Sequence, residues 1–265
     1  MVTVSPGRIT SSWFNCAKPD PHAQLRLFCF PYAGGGASIY RGWENYLPPG
    51  VEVYAVQPPG RDNRFREPAL DRMEFLLAAV AEAIEPFLDV PIVLFGHSVG
   101  AYASFEMTHR LRMQFGVNVE HLFVSAARGP HLPRNRHDIH DLPDDEFFTE
   151  LKTLNGTPPE VLENPDLMRM FSRMLRADFA IAETYKALPQ RPPLTCPISV
   201  LGGLDDTLAA REDLEAWKIH TTGPFDLWQL PGDHFFIHTL DSLVLQILSR
   251  ELTRLIGEKV STASR

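Results

Sequence analysis

The stretch LFGHSVGAYASFEM, residues 94–107, holds a serine with a glycine two residues away on either side: Gly96-His97-Ser98-Val99-Gly100. A serine hydroxyl can act as a nucleophile if it is lifted clear of the fold on a strained strand-to-helix turn. Side chains two positions before and after it would then collide, so both positions call for glycine. Here the pattern follows the apolar run PIVLF and precedes AYASFEMTHRL, which reads as a strand followed by a helix. The helix N-terminus would point at the site and favour a developing negative charge.

Such a serine needs a general base, and the base needs a carboxylate to orient it. On an α/β sheet with this elbow they follow the serine in the order Asp or Glu, then His. Ten histidines are present, and His220, His234 and His238 lie late enough. His220 ends a predicted helix. His234 follows the predicted strand FDLWQL through Pro-Gly-Asp, on a loop at the strand's C-terminal end, where sites in open α/β sheets collect. His234 is therefore assigned as the base and His238 a structural role. His234 and His238 also form an HxxxH pair, but Phe235 stands where a zinc protease carries Glu, so no metal is expected. The acid should end the preceding strand. CPISVLGGLDDTL supplies Asp205 and Asp206 after two glycines; Asp206 is preferred, which leaves Asp205 as a turn or helix-start carboxylate.

An oxyanion needs two backbone donors. The amide of Val99, next to the nucleophile, is one. The other should come from the loop after an early strand, where LFCFPYAGGGASIY offers Ala33 ahead of Gly34-Gly35-Gly36. The glycines are not a P-loop, because no Gly-Lys-Ser/Thr follows. Nor are they a dinucleotide fingerprint, because Ile39 occupies the third glycine position.

The elements that must hold these residues alternate. Strands are predicted at Leu25–Phe30, Val51–Val56, Ile92–Phe95, His121–Ala126, Ile198–Leu201 and Phe225–Leu230. Helices are predicted at Ile39–Tyr46, Asp71–Leu88, Val99–Phe115, Ala209–Lys218 and Leu240–Ile256. Several strands are apolar almost throughout, as strands covered on both faces are, so the fold class is α/β with a mainly parallel sheet. Between Arg128 and Pro193 the alternation fails. LPDDEFFTELKTL and ENPDLMRMFSRMLRADFAIAETY read as helices, the second capped by Asn164 with Pro165 at its first position. A helical insertion over strand ends reads as a lid, with methionines suited to flexible apolar ligands. The whole chain, 1–265, is taken as one domain with the insertion at about 129–193.

The 265 residues are 44% apolar and 22% charged, with a formal net charge of −8, which argues against a nucleic-acid partner. Cys16, Cys29 and Cys196 show no CxxC spacing and read as free thiols. The first residues contain no apolar signal-like core, and no uncharged run approaches a membrane span, so a cytoplasmic protein without membrane association is expected.

FPYAGGG, QPPGRDNR, GHSVG, LNGTPPEVL, LRADF and LPGDHFF stand in one order along residues 30–236. Together they resemble the type II thioesterases, the stand-alone editing hydrolases of polyketide and nonribosomal peptide synthesis. The resemblance implies an α/β-hydrolase fold with a helical lid. It implies a Ser98–His234–Asp206 triad, an oxyanion hole at Ala33 and Val99, and no cofactor. It also implies acyl substrates held as thioesters on the phosphopantetheine arm of a carrier protein. Asp233 departs from the family's usual glycine; it could compete with Asp206 for the base, and a solvated side chain is the preferred reading. Carrier proteins are typically acidic, so a basic patch is needed. Arg61, Arg64 and Arg66 offer one, and Arg128, Arg134, Arg136 and His137 another. A monomer is expected. The rival readings are a carboxylesterase for small soluble esters, separable by substrate, and a non-catalytic binding protein of the same fold, separable by fluorophosphonate labelling at Ser98.

Overall fold

The computed structural model describes residues 2–5 and 8–263. Among them a single sheet runs in the order β1-β2-β3-β5-β4-β6-β7-β8-β9. Its strands are β1 (Val2–Ser5), β2 (Arg8–Ser11), β3 (Phe14–Asn15), β4 (Leu25–Phe30), β5 (Val51–Val56), β6 (Ile92–His97), β7 (His121–Ser125), β8 (Ile198–Gly203) and β9 (Phe225–Leu230). From β5 across to β9 every pairing is parallel; β1 to β3 add an antiparallel edge. The helices are α1 (Met73–Ile84), α2 (Val99–Phe115), α3 (Asp144–Thr153), α4 (Pro159–Leu162), α5 (Pro165–Thr184), α6 (Arg211–Glu215), α7 (Phe236–Thr239) and α8 (Asp241–Ala263).

The period of two along the strands splits the core into two layers. Phe28, Ile92, Leu94, Leu122 and Val200 face the side covered by α1 and α2. Leu27, Val93, Phe95, Phe123 and Leu201 face the side covered by α8. Both layers leave the central strands sealed, and β6 is buried along its whole length. The C-terminal ends of β4, β6, β8 and β9 therefore open on one edge of a rigid frame, where loops can carry polar side chains.

Helices α3 to α5, with the segment that precedes them, lie between β7 and β8 and build a separate apolar cluster from Ile139, Phe147, Leu151, Met168, Met174 and Leu175. Asn164 caps α5, its Oδ1 accepting from the amides of Asp166 (3.0 Å) and Leu167 (3.2 Å). Trp217, fully buried, donates its indole N–H to the Ala127 carbonyl at 2.7 Å and fixes the start of the insertion.

The predicted helix Ile39–Tyr46 is instead two 3-10 turns, Ala37–Tyr40 and Trp43–Asn45. They are separated at Gly42, whose φ of 87° leaves the right-handed helical region. Helix α1 stops at Ile84, just before the turn that contains Pro86, rather than at Leu88. The Ala209–Lys218 helix is shortened to α6 followed by a 3-10 turn, and α8 runs past Ile256 to Ala263. The edge strands β1 to β3 were not anticipated; they are short and only weakly apolar. Cys16, Cys29 and Cys196 are free thiols, and no helix of the described residues is long and apolar enough to cross a membrane.

Candidate active site

Strand β6 runs straight into α2 through Ser98, whose φ of 55° and ψ of −121° are strained for a residue with a side chain. The strain is held by packing. A Cβ on Gly96 would overlap the Gly100 carbonyl, and a Cβ on Gly100 would overlap the Phe30 carbonyl at the end of β4. The Ser98 amide donates to the Ser125 carbonyl of β7 at 2.8 Å. The serine is thereby raised above the sheet edge, with the amide of Val99 opening α2 beside it.

Ser98 Oγ lies 3.0 Å from His234 Nε2, and His234 Nδ1 lies 2.9 Å from Asp206 Oδ2. The other Asp206 oxygen accepts the Leu208 amide at 2.8 Å. With the carboxylate accepting from Nδ1–H, Nε2 is left to accept the serine proton. Asp206 and His234 are both buried, which shields the pair from competing water. Asp205 is exposed, and its amide bonds the Gly232 carbonyl. The two glycines ahead of the acids allow this register, since a Cβ on Gly203 would meet the carbonyls of Gly232 and Asp233 at 2.5 Å.

His97 is fully buried below the elbow. Its Nε2 donates to the His234 carbonyl at 2.9 Å, and its Nδ1 accepts from the Ser125 hydroxyl at 2.9 Å. Burial, aided by nearby His234, pushes its pKa far below the usual histidine range, so it is a neutral strut under the His234 loop. Its position inside the elbow motif was the only sequence signal, and that motif leaves the residue unspecified. His238 shares a 2.7 Å hydrogen bond with the Tyr32 hydroxyl, in keeping with a structural role, and His220 pairs with His131 at 2.8 Å. Asp233 does not rival Asp206: one oxygen accepts the Phe235 amide (2.9 Å) and the other the Asn155 side-chain amide (3.0 Å).

Ala33 follows Tyr32 in a tight turn closed by Gly35 N–H to the Tyr32 carbonyl at 2.9 Å, with Gly34 at φ 85°. Positive φ at the third position marks a type II turn and explains a glycine there. Two cavities meet at Ser98 and His234, sharing also Leu154, Phe179 and Leu208 in their walls. One, of about 390 Å³, runs between Ala33 and the apolar side chains Leu151, Val161, Phe171, Met174 and Leu175. The other, of about 200 Å³, passes Arg128, Arg134, Arg136 and His137. Of the first basic cluster, Arg61 is buried in an ion pair with buried Asp178, and Arg64 is itself buried although its partner Glu67 is half exposed; only Arg66 is exposed. Arg134 and Arg136 remain about one-third exposed beside the second cavity, loosely paired with Asp138 (3.0 Å) and Glu150 (3.6 Å).

The parallel sheet, the strained serine elbow and the buried His–Asp pair together define a serine hydrolase of the α/β-hydrolase kind. The family pattern described as the thioesterase domain matches residues 25–252. The chain is 38% identical to the gramicidin S biosynthesis protein GrsT of Aneurinibacillus migulanus, over 94% of this chain and 97% of that one. It is 38% identical to the thioesterase PikA5 of Streptomyces venezuelae, over 85% and 80%. The solved structure of BorB, the type II thioesterase of the borrelidin biosynthetic cluster, is 36% identical and superposes with a TM-score of 0.83, covering 92% of this chain and 98% of that one. The chain belongs to the thioesterase family, on the type II branch.

Proposed function

We propose that this enzyme removes acyl or aminoacyl groups from the phosphopantetheine arms of carrier proteins in polyketide or nonribosomal peptide synthesis, clearing stalled or mis-primed carriers through an acyl-enzyme on Ser98. The observation that carries the reading is the meeting of two unlike cavities at one activated serine. The apolar one suits an acyl chain. The basic-rimmed one suits an arm that carries a phosphate and arrives on an acidic partner.

In the reaction, Ser98 Oγ attacks the thioester carbonyl while His234 Nε2 takes the hydroxyl proton and Asp206 steadies the resulting imidazolium. The amides of Val99 and Ala33 stabilise the tetrahedral oxyanion. The intermediate collapses as the C–S bond breaks, and His234 returns the proton to the leaving thiol. Water, deprotonated by His234, then attacks the ester on Ser98 and releases the acid. No metal or organic cofactor takes part. The chain acts as one hydrolase domain of 1–265, monomeric and cytoplasmic, with the insertion at 129–193 as a lid over both cavities.

Hydrolysis of acyl groups on a holo carrier, compared with the same acyl groups as simple oxygen esters, tests the reading. Release from the carrier at a kcat/KM at least tenfold above that for the esters is the expected result. A preference for the esters assigns the enzyme to the carboxylesterases instead.

A further inference from the structure

The buried ion pair between Arg61 and Asp178 does more than join two elements. Asp178, on α5, is 5% exposed; Arg61, on the loop after β5, is equally buried. Their contact is bidentate, Nη1 to Oδ2 at 2.5 Å and Nη2 to Oδ1 at 2.8 Å. Asp178 Oδ2 also accepts the Gly34 amide at 2.7 Å, and Arg61 Nη1 donates to the Gly35 carbonyl at 3.1 Å. The same two side chains thus grip both sides of the turn that carries Ala33. Arg61 is in turn braced on the Pro59 carbonyl through Nε (3.2 Å) and Nη2 (3.1 Å). Leu175, one helical turn before Asp178, lies so close that a Cβ on Gly34 would meet it at 2.8 Å.

The amide that Asp178 holds belongs to the central peptide of the Tyr32–Gly35 turn. In a type II turn that peptide can flip to the type I orientation, which changes the torsions on both sides of it. Anchoring its N–H to a buried carboxylate fixes the turn in one form. We propose that Asp178 is a positioning residue: through the Gly34 amide, with Arg61 as its counter-ion, it holds the Ala33 turn in the geometry that receives the oxyanion, and so ties completion of the hole to the docking of α5. This rests on the assignment of Ala33 as an oxyanion donor.

The test separates acceptor from packing. Replacing both partners by apolar residues of similar volume leaves no unpaired buried charge and is commonly tolerated by a fold. The Arg61→Met/Asp178→Leu double variant should therefore melt near wild type yet lose about 10–100-fold in kcat on an acyl-pantetheine thioester, with KM within about threefold, as loss of oxyanion support does. An alkyl trifluoromethyl ketone, which places an oxyanion in the hole, should lose affinity by the same factor, and an unreactive thioether analogue of the substrate should not. The Arg61→Gln/Asp178→Asn pair, which keeps an oxygen for the Gly34 amide, should recover most of kcat. Should the apolar pair fail to fold, Asp178→Glu decides: it keeps the ion pair but moves the carboxylate off the Gly34 amide, and kcat should fall about tenfold at unchanged KM. Wild-type kcat and ketone affinity in a folded apolar pair, or in Asp178→Glu, overturns the proposal. A wild-type enzyme that hydrolyses no acyl thioester at all overturns the function instead.

Discussion

Two of the places that fasten the helical insertion to the rest of the enzyme could hardly differ more. At the rear, Asp178 of α5 accepts the Gly34 amide of the Ala33 turn and makes a bidentate ion pair with Arg61, out of reach of water. At the front, the loop after α3 meets the His234 loop through one exposed hydrogen bond, Asn155 Nδ2 to Asp233 Oδ2, and through Gly156, so close to the Phe235 ring that a Cβ there would overlap it. The rear joint is costly to break, because each charge would be left alone in a dry interior. The front joint exchanges readily with water, so it costs little to open. Under the proposed function the insertion would act as a flap, with a fixed rear hinge beside the Ala33 turn and a releasable front edge beside His234.

Breaking the rear joint on one side only should produce the largest effect. Arg61→Ala strands the Asp178 carboxylate and should cost about 3–5 kcal/mol of stability, read as a lowered midpoint in chemical denaturation. Gly34→Ala comes next. It places a side chain at φ 85° and against Leu175, and should cost about 1–3 kcal/mol together with a fall in kcat. Asn155→Ala, at the front, should cost less than about 1 kcal/mol and leave kcat within about twofold, with faster hydrogen exchange confined to residues 154–158. A front variant as damaging as Arg61→Ala would erase the contrast.

The smallest effect concerns a third attachment, the His131–His220 pair at the insertion's stem. Burial first, and then the neighbouring His131, bring the His220 pKa down to about 4. The folded pKa lies below the unfolded one, so the unfolded chain takes up the extra proton. The contribution to stability is complete above about pH 6.5 and is lost as the pH falls toward 4. The melting temperature should drop between pH 7 and pH 5, and His220→Asn should flatten that drop. An unchanged pH slope in the variant removes this pair from the fastening.

Much of the frame was legible because it rests on short-range rules. Near-continuous apolar runs placed the parallel strands, three of them to the residue, and the order Ser98, Asp206, His234 with glycines at fixed offsets singled out the three side chains now found within hydrogen-bond reach. What sequence reasoning lost was pairing across distance. Arg61 and Arg64 read as a solvent-facing basic patch, yet Asp178, 117 residues away, turns Arg61 inward, and Arg64 lies over the Trp13 ring and donates to the Gln57 carbonyl. Asp233 read as a rival acid or a solvated side chain, because nothing local announces Asn155. His97 hid in the unspecified position of its own motif, since its value comes from the His234 carbonyl, 137 residues on.

In the proposed reaction a thioester on a carrier becomes an ester on Ser98 before it becomes an acid. Rapid mixing of enzyme with a holo carrier bearing a radiolabelled acyl group, acid quenching within one turnover, and intact and peptide mass analysis test it directly. A transient acyl adduct is expected on the peptide that carries Ser98, formed no slower than free acid appears. In Ser98→Ala the adduct should be absent and turnover lowered by about 10⁴-fold or more. Release of free acid at the full rate by Ser98→Ala, or an adduct on a different residue, would contradict it.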